Sequence, residues 1–208
     1  MNQINVVPLF ATPVAMFTLE LDNVKILKSF KKLSYILTKE DDDFLNKHTY
    51  LGTDLSLVNK FPKLKASLEE SLDYYIKHIL QFKAEGQLIQ SWATKTSPGG
   101  YSNTHRHANS WLTGCYYPLP EENTQVEFLR ETFFEYDTTE RTADNIWNSY
   151  RYRITTVPNQ LLIWPSYLPH RIRTNTGKQD RHSMAFTILP KGPFGTHGAL
   201  INFSPHNK

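Results

Sequence analysis

One cysteine in 208 residues, Cys115, leaves nothing for an internal disulfide, a thiolate zinc cluster or an iron–sulfur cluster. That scarcity suits a reducing compartment, and a cytoplasmic protein is expected. No stretch approaches the roughly 18 uninterrupted apolar residues of a membrane span. The opening MNQINVVPLFATPVAMFTLE lacks a basic leader and is broken by Pro8, Pro13 and Glu20, so neither a signal peptide nor a membrane helix is expected. A charge excess is missing too: 23 Lys and Arg against 20 Asp and Glu give a net +3 with no basic tract. Nucleic acid as a partner is therefore unsupported by composition. Repeats and low-complexity segments are also lacking. What is present, 39% hydrophobic, 13% aromatic and 21% charged residues, is the composition of a chain that folds, and its length suits one domain.

Two runs near the start, Val6 to Phe10 and Val14 to Leu19, read as a strand pair or bent strand with prolines at the turns. Asp22 is a helix cap ahead of Val24, Leu27, Phe30 and Leu33 at helical spacing, and the polar run Thr38 to Asp43 reads as a loop. The clearest helix spans about Pro62 to Phe82, with Leu64, Leu68, Leu72, Tyr75, Ile76 and Ile79 along one stripe. From Gln87 the pattern changes to short Thr-, Val-, Tyr-, Trp- and Ile-rich runs punctuated by Pro, Gly, Asn and Asp. Strands are predicted at Leu88–Thr96, Trp111–Tyr117, Val126–Leu129, Thr132–Tyr136, Tyr152–Val157, Gln160–Trp164, Arg171–Thr174 and His182–Leu189. The expected fold is mainly β with N-terminal helices (α+β): a sandwich or jelly-roll core braced by helices. The layout would be a strand and bracing helices over 1–86, the β core over 87–190, and over 191–208 a loop or tail. Within that tail, Lys191 to Gly198 is flexible by composition, a lid or a mere end.

Eight histidines are unevenly spread. His105 and His107 sit in Asn103-Thr104-His105-Arg106-His107-Ala108-Asn109, and in an extended chain residues i and i+2 share a face, so both imidazoles can grip one metal. His170, where the strand ending Trp164-Pro165-Ser166 turns and restarts, is the candidate third ligand. Three such ligands in a barrel mouth leave positions for dioxygen and a substrate, as an open ferrous site requires. The bland reading is a chance HxH on the surface. A second reading pairs His107 with Asn109, although an amide oxygen is the poorer ligand. Farther on, Arg181 and Ser183 share a strand face, where a guanidinium fork and a hydroxyl can hold one carboxylate of a dicarboxylate cosubstrate. Tyr117 is a candidate hydroxyl donor, with Tyr116 on the opposite face. His182 faces away from Arg181 and reads as core or surface. Trp92, Trp111 and Trp164 read as wall residues, and Cys115 as inert packing. His48, His78, His197 and His206 show no partner spacing.

These residues resemble the Fe(II)- and 2-oxoglutarate-dependent oxygenases, whose double-stranded β-helix (jelly-roll or cupin-like) core holds iron by H-x-D/E and a distal His, with a basic residue beyond. Ser91-Trp92, the Pro-Gly-Gly-Tyr turn at 98–101, His105-Arg106-His107, Trp111 through Tyr117, and Trp164-Pro165-Ser166 through His170 to Arg181 are similar to a poorly characterised branch from bacteria and their viruses. The opening Pro8-Leu9-Phe10-Ala11-Thr12-Pro13-Val14 is similar to that branch as well. The resemblance implies Fe(II) on His105, His107 and His170, and 2-oxoglutarate held at its C5 carboxylate by Arg181, with Ser183 and Tyr117 beside it. Dioxygen would be consumed, and a substrate hydroxylated with release of succinate and carbon dioxide. The departure is His107 where most such enzymes carry Asp or Glu. Three-His iron also resembles the cupin thiol dioxygenases, which use no 2-oxoglutarate, and a non-catalytic jelly-roll binding module is the remaining alternative. The prime substrate, a small molecule or a protein side chain, is not legible, nor is a homo-oligomeric state.

Overall fold

The computed structural model describes residues 6–38, 47–119, 124–131, 140–195 and 197–203. Its order is β1 (Ala15–Thr18), α1 (Asn23–Phe30), β2 (Tyr35–Leu37), β3 (Lys47–Gly52), α2 (Pro62–Tyr74), β4 (Glu85–Tyr101), β5 (Leu112–Tyr117), β6 (Gln125–Leu129), β7 (Arg151–Thr155), β8 (Gln160–Pro165), β9 (His170–Ile172), β10 (Arg181–Phe194) and β11 (Ile201–Phe203). A major sheet runs β1-β8-β5-β10-β4-β3-β2, with β11 added to β10, and a minor sheet runs β7-β6-β9. Every pairing between these strands is antiparallel. The fold is the expected jelly roll braced by helices.

The two sides of the major sheet explain why its central strands read as unbroken apolar runs. Leu161 and Ile163 of β8 join Tyr116, Met184, Phe186 and Ile188 in a core with Ile26 and Phe30 of α1 and Leu64, Leu68 and Leu72 of α2. Leu162 and Trp164, alternating with them, join Cys115 and Tyr117 against Val126, Phe128 and Ile154 of the minor sheet. All six residues of β5 and of β8 are consequently buried, because each strand packs on both faces.

The helices form as their signals direct. The Asp22 carboxylate accepts a hydrogen bond from the Lys25 backbone N–H at 3.0 Å. Pro62 opens α2, and a π-helical turn, Tyr75–Ile79, continues it. The chain leaves the helix before the expected Phe82, through Gln81 at φ 56°.

Several expectations are corrected. Residues 6–14 contain no strand: Pro8 and Pro13 lack ladder donors, and Phe10 turns left-handed at φ 56°. β2 and β3, which flank the loop read over 38–43, are not among the expected elements: β2 is a three-residue edge strand and β3 is set by its pairing with distant β4. β10 runs past Leu189 to Phe194 and pairs with β11, so the stretch read as a flexible lid or tail is a hairpin shaped by Gly192 and Gly195 at positive φ. The strand expected over 132–136 lies outside the described residues, as does 39–43 of the expected loop.

Gly114 of β5 leaves no room for a side chain between Phe186 of β10 and the backbone of β8. A Cβ there would lie 2.6 Å from Phe186 Cε2 and 2.7 Å from the Leu162 carbonyl oxygen, and a backbone atom cannot yield as a side chain can. Gly114→Ala should lower unfolding stability by about 2–3 kcal/mol, read from urea midpoints; a change below about 0.5 kcal/mol would show that the sheet relaxes freely.

Candidate metal centre

β4 ends at Tyr101, and the chain crosses to the minor sheet as an extended stretch. The Ser102 N–H donates to Ile172 O at 3.1 Å, and the Ser102 hydroxyl accepts from Ile172 N–H at 2.9 Å. His105 then forms an antiparallel bridge with His170: each backbone N–H donates to the other's carbonyl, at 2.9 and 3.0 Å. His107 N–H donates to Ser166 O at 3.3 Å. The Ser166 hydroxyl meets Thr113 Oγ1 at 2.6 Å and donates to Ser110 Oγ at 2.9 Å. The loop that delivers His170 is thus tied to the segment that follows His107.

These ties bring the three histidines together, with one ring nitrogen of each within 4.8 Å of the others. The orientation of two rings is set. His105 Nδ1–H donates to Asn103 O at 2.7 Å, and His170 Nδ1–H donates to Leu168 O at 3.0 Å. A carbonyl only accepts, so Nδ1 carries the proton and the Nε2 lone pair is left for a metal. Trp164 lies edge-on to His170 with centroids 4.9 Å apart, and Trp92 lies 6.0 Å from His107; both are walls. Burial lowers His107 to about 4, with His105 adding to the effect, and lowers His170 to about 3. His105 is shifted down by burial and partly restored by its bond to Asn103. All three rings are therefore neutral at pH 7, the state in which imidazole ligates. Asn109 sits in a left-handed turn at φ 56° just past this group.

Deeper in the barrel, alternation sorts β5 and β10. Arg181, Ser183 and Ala185 face inward with Cys115 and Tyr117, whereas His182, Met184 and Phe186 face the helices. Arg181 is 3% exposed, and its Nη1 donates to Arg173 O at 3.2 Å. Among the described residues its Nη2 and the Tyr117 hydroxyl are fully buried without a hydrogen-bond partner. Ser183 Oγ lies 2.5 Å from Thr94 Oγ1, a partner that the inward alternation of β4 would have revealed. Burial pushes the Cys115 thiol up to about 11, so it stays protonated. Burial also pulls Arg181 down against the opposing pull of Tyr117 and Cys115, but a guanidinium keeps its charge. A buried cation with unmade bonds costs several kcal/mol unless an anion meets it.

The remaining histidines lie elsewhere. The Tyr35 hydroxyl donates to Phe30 O at 2.9 Å, so His182 Nδ1–H must be the donor in its 3.2 Å contact with that hydroxyl. His182 is thus a core residue facing the helices, lowered to about 4 chiefly by burial. His78 stacks beside Tyr74, His48 is exposed, and His206 is outside the described residues. The Tyr116 hydroxyl donates to Asn159 Oδ1 at 2.6 Å on the helical side.

Fold and site together define a jelly-roll protein with a candidate three-histidine metal centre. Residues 90–187, which carry the three histidines and Arg181, match the family model described as putative 2OG-Fe(II) oxygenase. Among solved structures, the chain is similar to the non-heme alpha ketoglutarate dependent epimerase SnoN from nogalamycin biosynthesis. The two are 11% identical, with a TM-score of 0.60 over 90% of this chain and 80% of that one. HygX from Streptomyces hygroscopicus, with nickel, 2-oxoglutarate and hygromycin B bound, is 11% identical, with a TM-score of 0.57 over 86% and 83%. A Pseudomonas putida prolyl-4-hydroxylase is 11% identical, with a TM-score of 0.53 over 85% and 92%. No curated protein matches the chain. No helix among the described residues is long and apolar enough to cross a membrane.

The depressed histidines make the metal-free protein acid-labile. Below the unfolded value near 6.5 the unfolded chain binds protons that folded His107, His170 and His182 refuse until about pH 4, 3 and 4. Stability present at pH 7 should therefore be lost as pH falls from about 6.5 toward 4, by up to about 1.4 kcal/mol per pH unit for each histidine. Urea midpoints in chelator at pH 7, 6 and 5 test this, and equal midpoints at pH 7 and 5 would contradict it.

Proposed function

We propose that the protein is an Fe(II)- and 2-oxoglutarate-dependent oxygenase that hydroxylates a C–H bond, releasing succinate and carbon dioxide. His105, His107 and His170 would hold the iron, and Arg181, with Tyr117 and Ser183, the far carboxylate of 2-oxoglutarate. The observation that carries this reading is the pair of buried, partnerless donors, Arg181 Nη2 and Tyr117 Oη, on the inner face of the barrel that also holds the three histidines. A buried cation with an unused donor and a buried hydroxyl, on the same inner face as a neutral ligand cluster, are the chemistry that an anionic chelating cosubstrate completes.

Iron with 2-oxoglutarate and dioxygen, when bound, supplies oxidative decarboxylation coupled to oxidation of a nearby C–H bond. The chain's own work is positional. The Asn103 and Leu168 carbonyls hold two ligand rings in the metal-binding tautomer. Arg181 and Tyr117 give the cosubstrate one orientation, and Trp164, Phe128 and Leu162 line the interior beside His170 with apolar surface that excludes water. Three neutral imidazoles leave the metal its double charge, and a 2-oxoglutarate dianion balances it where an aspartate does so in part in most such enzymes. The reading needs no side chain as a separate acid or base. The prime substrate is proposed to be a small molecule or a protein side chain; HygX, of similar fold, has hygromycin B bound. The Arg181 pocket favours 2-oxoglutarate chemistry over thiol dioxygenation.

Anaerobic titration with Fe(II) and then 2-oxoglutarate should give a weak visible charge-transfer band at one equivalent, lost in His170→Ala. Iron bound without the band would move the reading to a thiol dioxygenase. Arg181→Ala should keep iron and raise the 2-oxoglutarate requirement by about 100-fold, and Tyr117→Phe by about 10-fold. An unchanged requirement would make Arg181 a structural residue.

A further inference from the structure

Tyr152 of β7 stands opposite Phe128 of β6, Phe128 stands opposite His170 of β9, and His170 bridges to His105. Directly opposed residues share a face of a sheet, so Tyr152 ends a row on the inner side of the minor sheet that starts with two candidate metal ligands. It lies two strands, about 10 Å, from His170. Phe128 and His170 are 5% and 2% exposed, and Ile154, the next inward residue of β7, is 8% exposed, whereas Tyr152 is 61% exposed. The interior therefore opens to solvent at Tyr152, in the same row as the histidines.

β7 also presents an open edge. Arg130 N–H donates to Tyr150 O at 2.7 Å, and Thr156 N–H to Thr124 O at 2.9 Å. Hydrogen-bonded pairs of an antiparallel ladder recur at every second residue, so Tyr152 and Ile154 turn their main-chain groups toward Phe128 and Val126 of β6. Arg151, Arg153 and Thr155 turn theirs the other way, where among the described residues no strand pairs with β7. A recess of about 390 Å³ lies between Asn145, Ile146 and Ser149 on one side and Arg151, Tyr152 and Arg153 on the other. It meets neighbouring residues of β7 whose side chains point to opposite faces, so it lies against the edge of that strand. Its loop wall is held in shape: Asn145 Oδ1 accepts from the N–H groups of Trp147 and Asn148, at 2.8 and 3.2 Å, and Arg130 Nη2 donates to Ile146 O at 2.8 Å. The devices that close a strand edge are not used here. β7 contains no proline, and no bulge breaks its register with β6. Arg153 is drawn across the outer face to Glu127 at 2.6 Å, and the Arg151 guanidinium to the Tyr150 ring, 5.1 Å from its centroid.

We propose that the edge of β7 takes an extended polypeptide as an added strand, with an apolar side chain of that strand packed on the Tyr152 ring. A free strand edge offers alternating donors and acceptors, and an extended main chain is the ligand that repeats them at the same spacing. A compact metabolite would use the ring and leave the edge idle. Resting on the oxygenase reading, this makes the prime substrate a polypeptide side chain. The added strand is three strands from His170, and four or five further residues at about 3.3 Å each span that distance. The docking itself needs neither iron nor 2-oxoglutarate.

Random dodecapeptides displayed on phage and selected against the full-length protein, without added iron or 2-oxoglutarate, supply the probe, and fluorescence anisotropy of the synthesised peptides reads its binding. Arg151→Pro removes one main-chain donor at the first residue of an edge strand, a position that accepts proline. It should weaken binding about 10-fold. Arg151→Gln, which keeps that donor and drops the charge, should change affinity by less than about 2-fold. Tyr152→Ala should weaken it about 5-fold or more. Peptides N-methylated at alternate residues should lose binding in one register and keep it in the other. Thermal unfolding reports whether each variant keeps the fold; should Arg151→Pro fail to fold, the N-methylated peptides and Tyr152→Ala carry the test. Recovery of no binding peptide, binding indifferent to these changes, or equal losses in Arg151→Gln and Arg151→Pro would overturn the proposal. A dimer in sedimentation that Arg151→Pro dissociates, with no peptide bound, would overturn it too and give the edge to a second copy of the chain. The charge-transfer band separates the two readings: a band without peptide binding removes the docking alone, and peptide binding without a band removes the oxygenase reading alone.

Discussion

The backbone bridge between His105 and His170 is the constraint on which the centre depends. Two residues 65 positions apart exchange both main-chain hydrogen bonds, so the distance between their rings is set by the ladder and not by side-chain flexibility. The bridge also stitches the segment leaving β4 to β9, closing the minor sheet against the strand that begins the β core. His107 follows two residues along that extended segment and needs only the Ser166 carbonyl to hold it. A cluster built this way is rigid because breaking it means parting two sheets.

The same economy governs the residues around Arg181. β10 pairs with β4 on one side and β5 on the other, and strict alternation sends Arg181 and Ser183 inward and His182 toward Tyr35. A buried guanidinium without a full set of partners is tolerable in a protein this size only because the surrounding apolar layers supply the stability that the unmade bonds forfeit.

Much of this was legible in the residues. HxH in an extended stretch, His170 after a buried strand, and Arg181 with Ser183 two apart required only the period of a strand, and the structure brings the three histidines together. The helices followed from Asp22, Pro62 and an apolar stripe. What escaped was long-range or local to unusual backbone. β2 is a three-residue edge strand with little to bury, and β3 is set by its long-range pairing with β4. The run from Val6 to Phe10 has strand composition but contains Pro8 and a left-handed Phe10. The hairpin of β10 and β11 hides behind glycines that read as flexibility, although in it they supply positive φ. The ion pairs that Glu127 of β6 makes with Arg153, Arg171 and Arg173 were invisible because the four residues are scattered over 47 positions, and only the register of three strands makes them neighbours.

Alternation in β10 also dictates which insertions and deletions lineages of this protein can survive. One residue gained in the connections between β6 and β7 shifts no ladder. One residue gained or lost between Arg181 and Ala185 would rotate the strand by half a period, burying His182 in the pocket and driving Arg181 into the helical core. Length variation should therefore accumulate in the loops, while the stretch from Arg181 to Phe186 keeps its length even where its residues change.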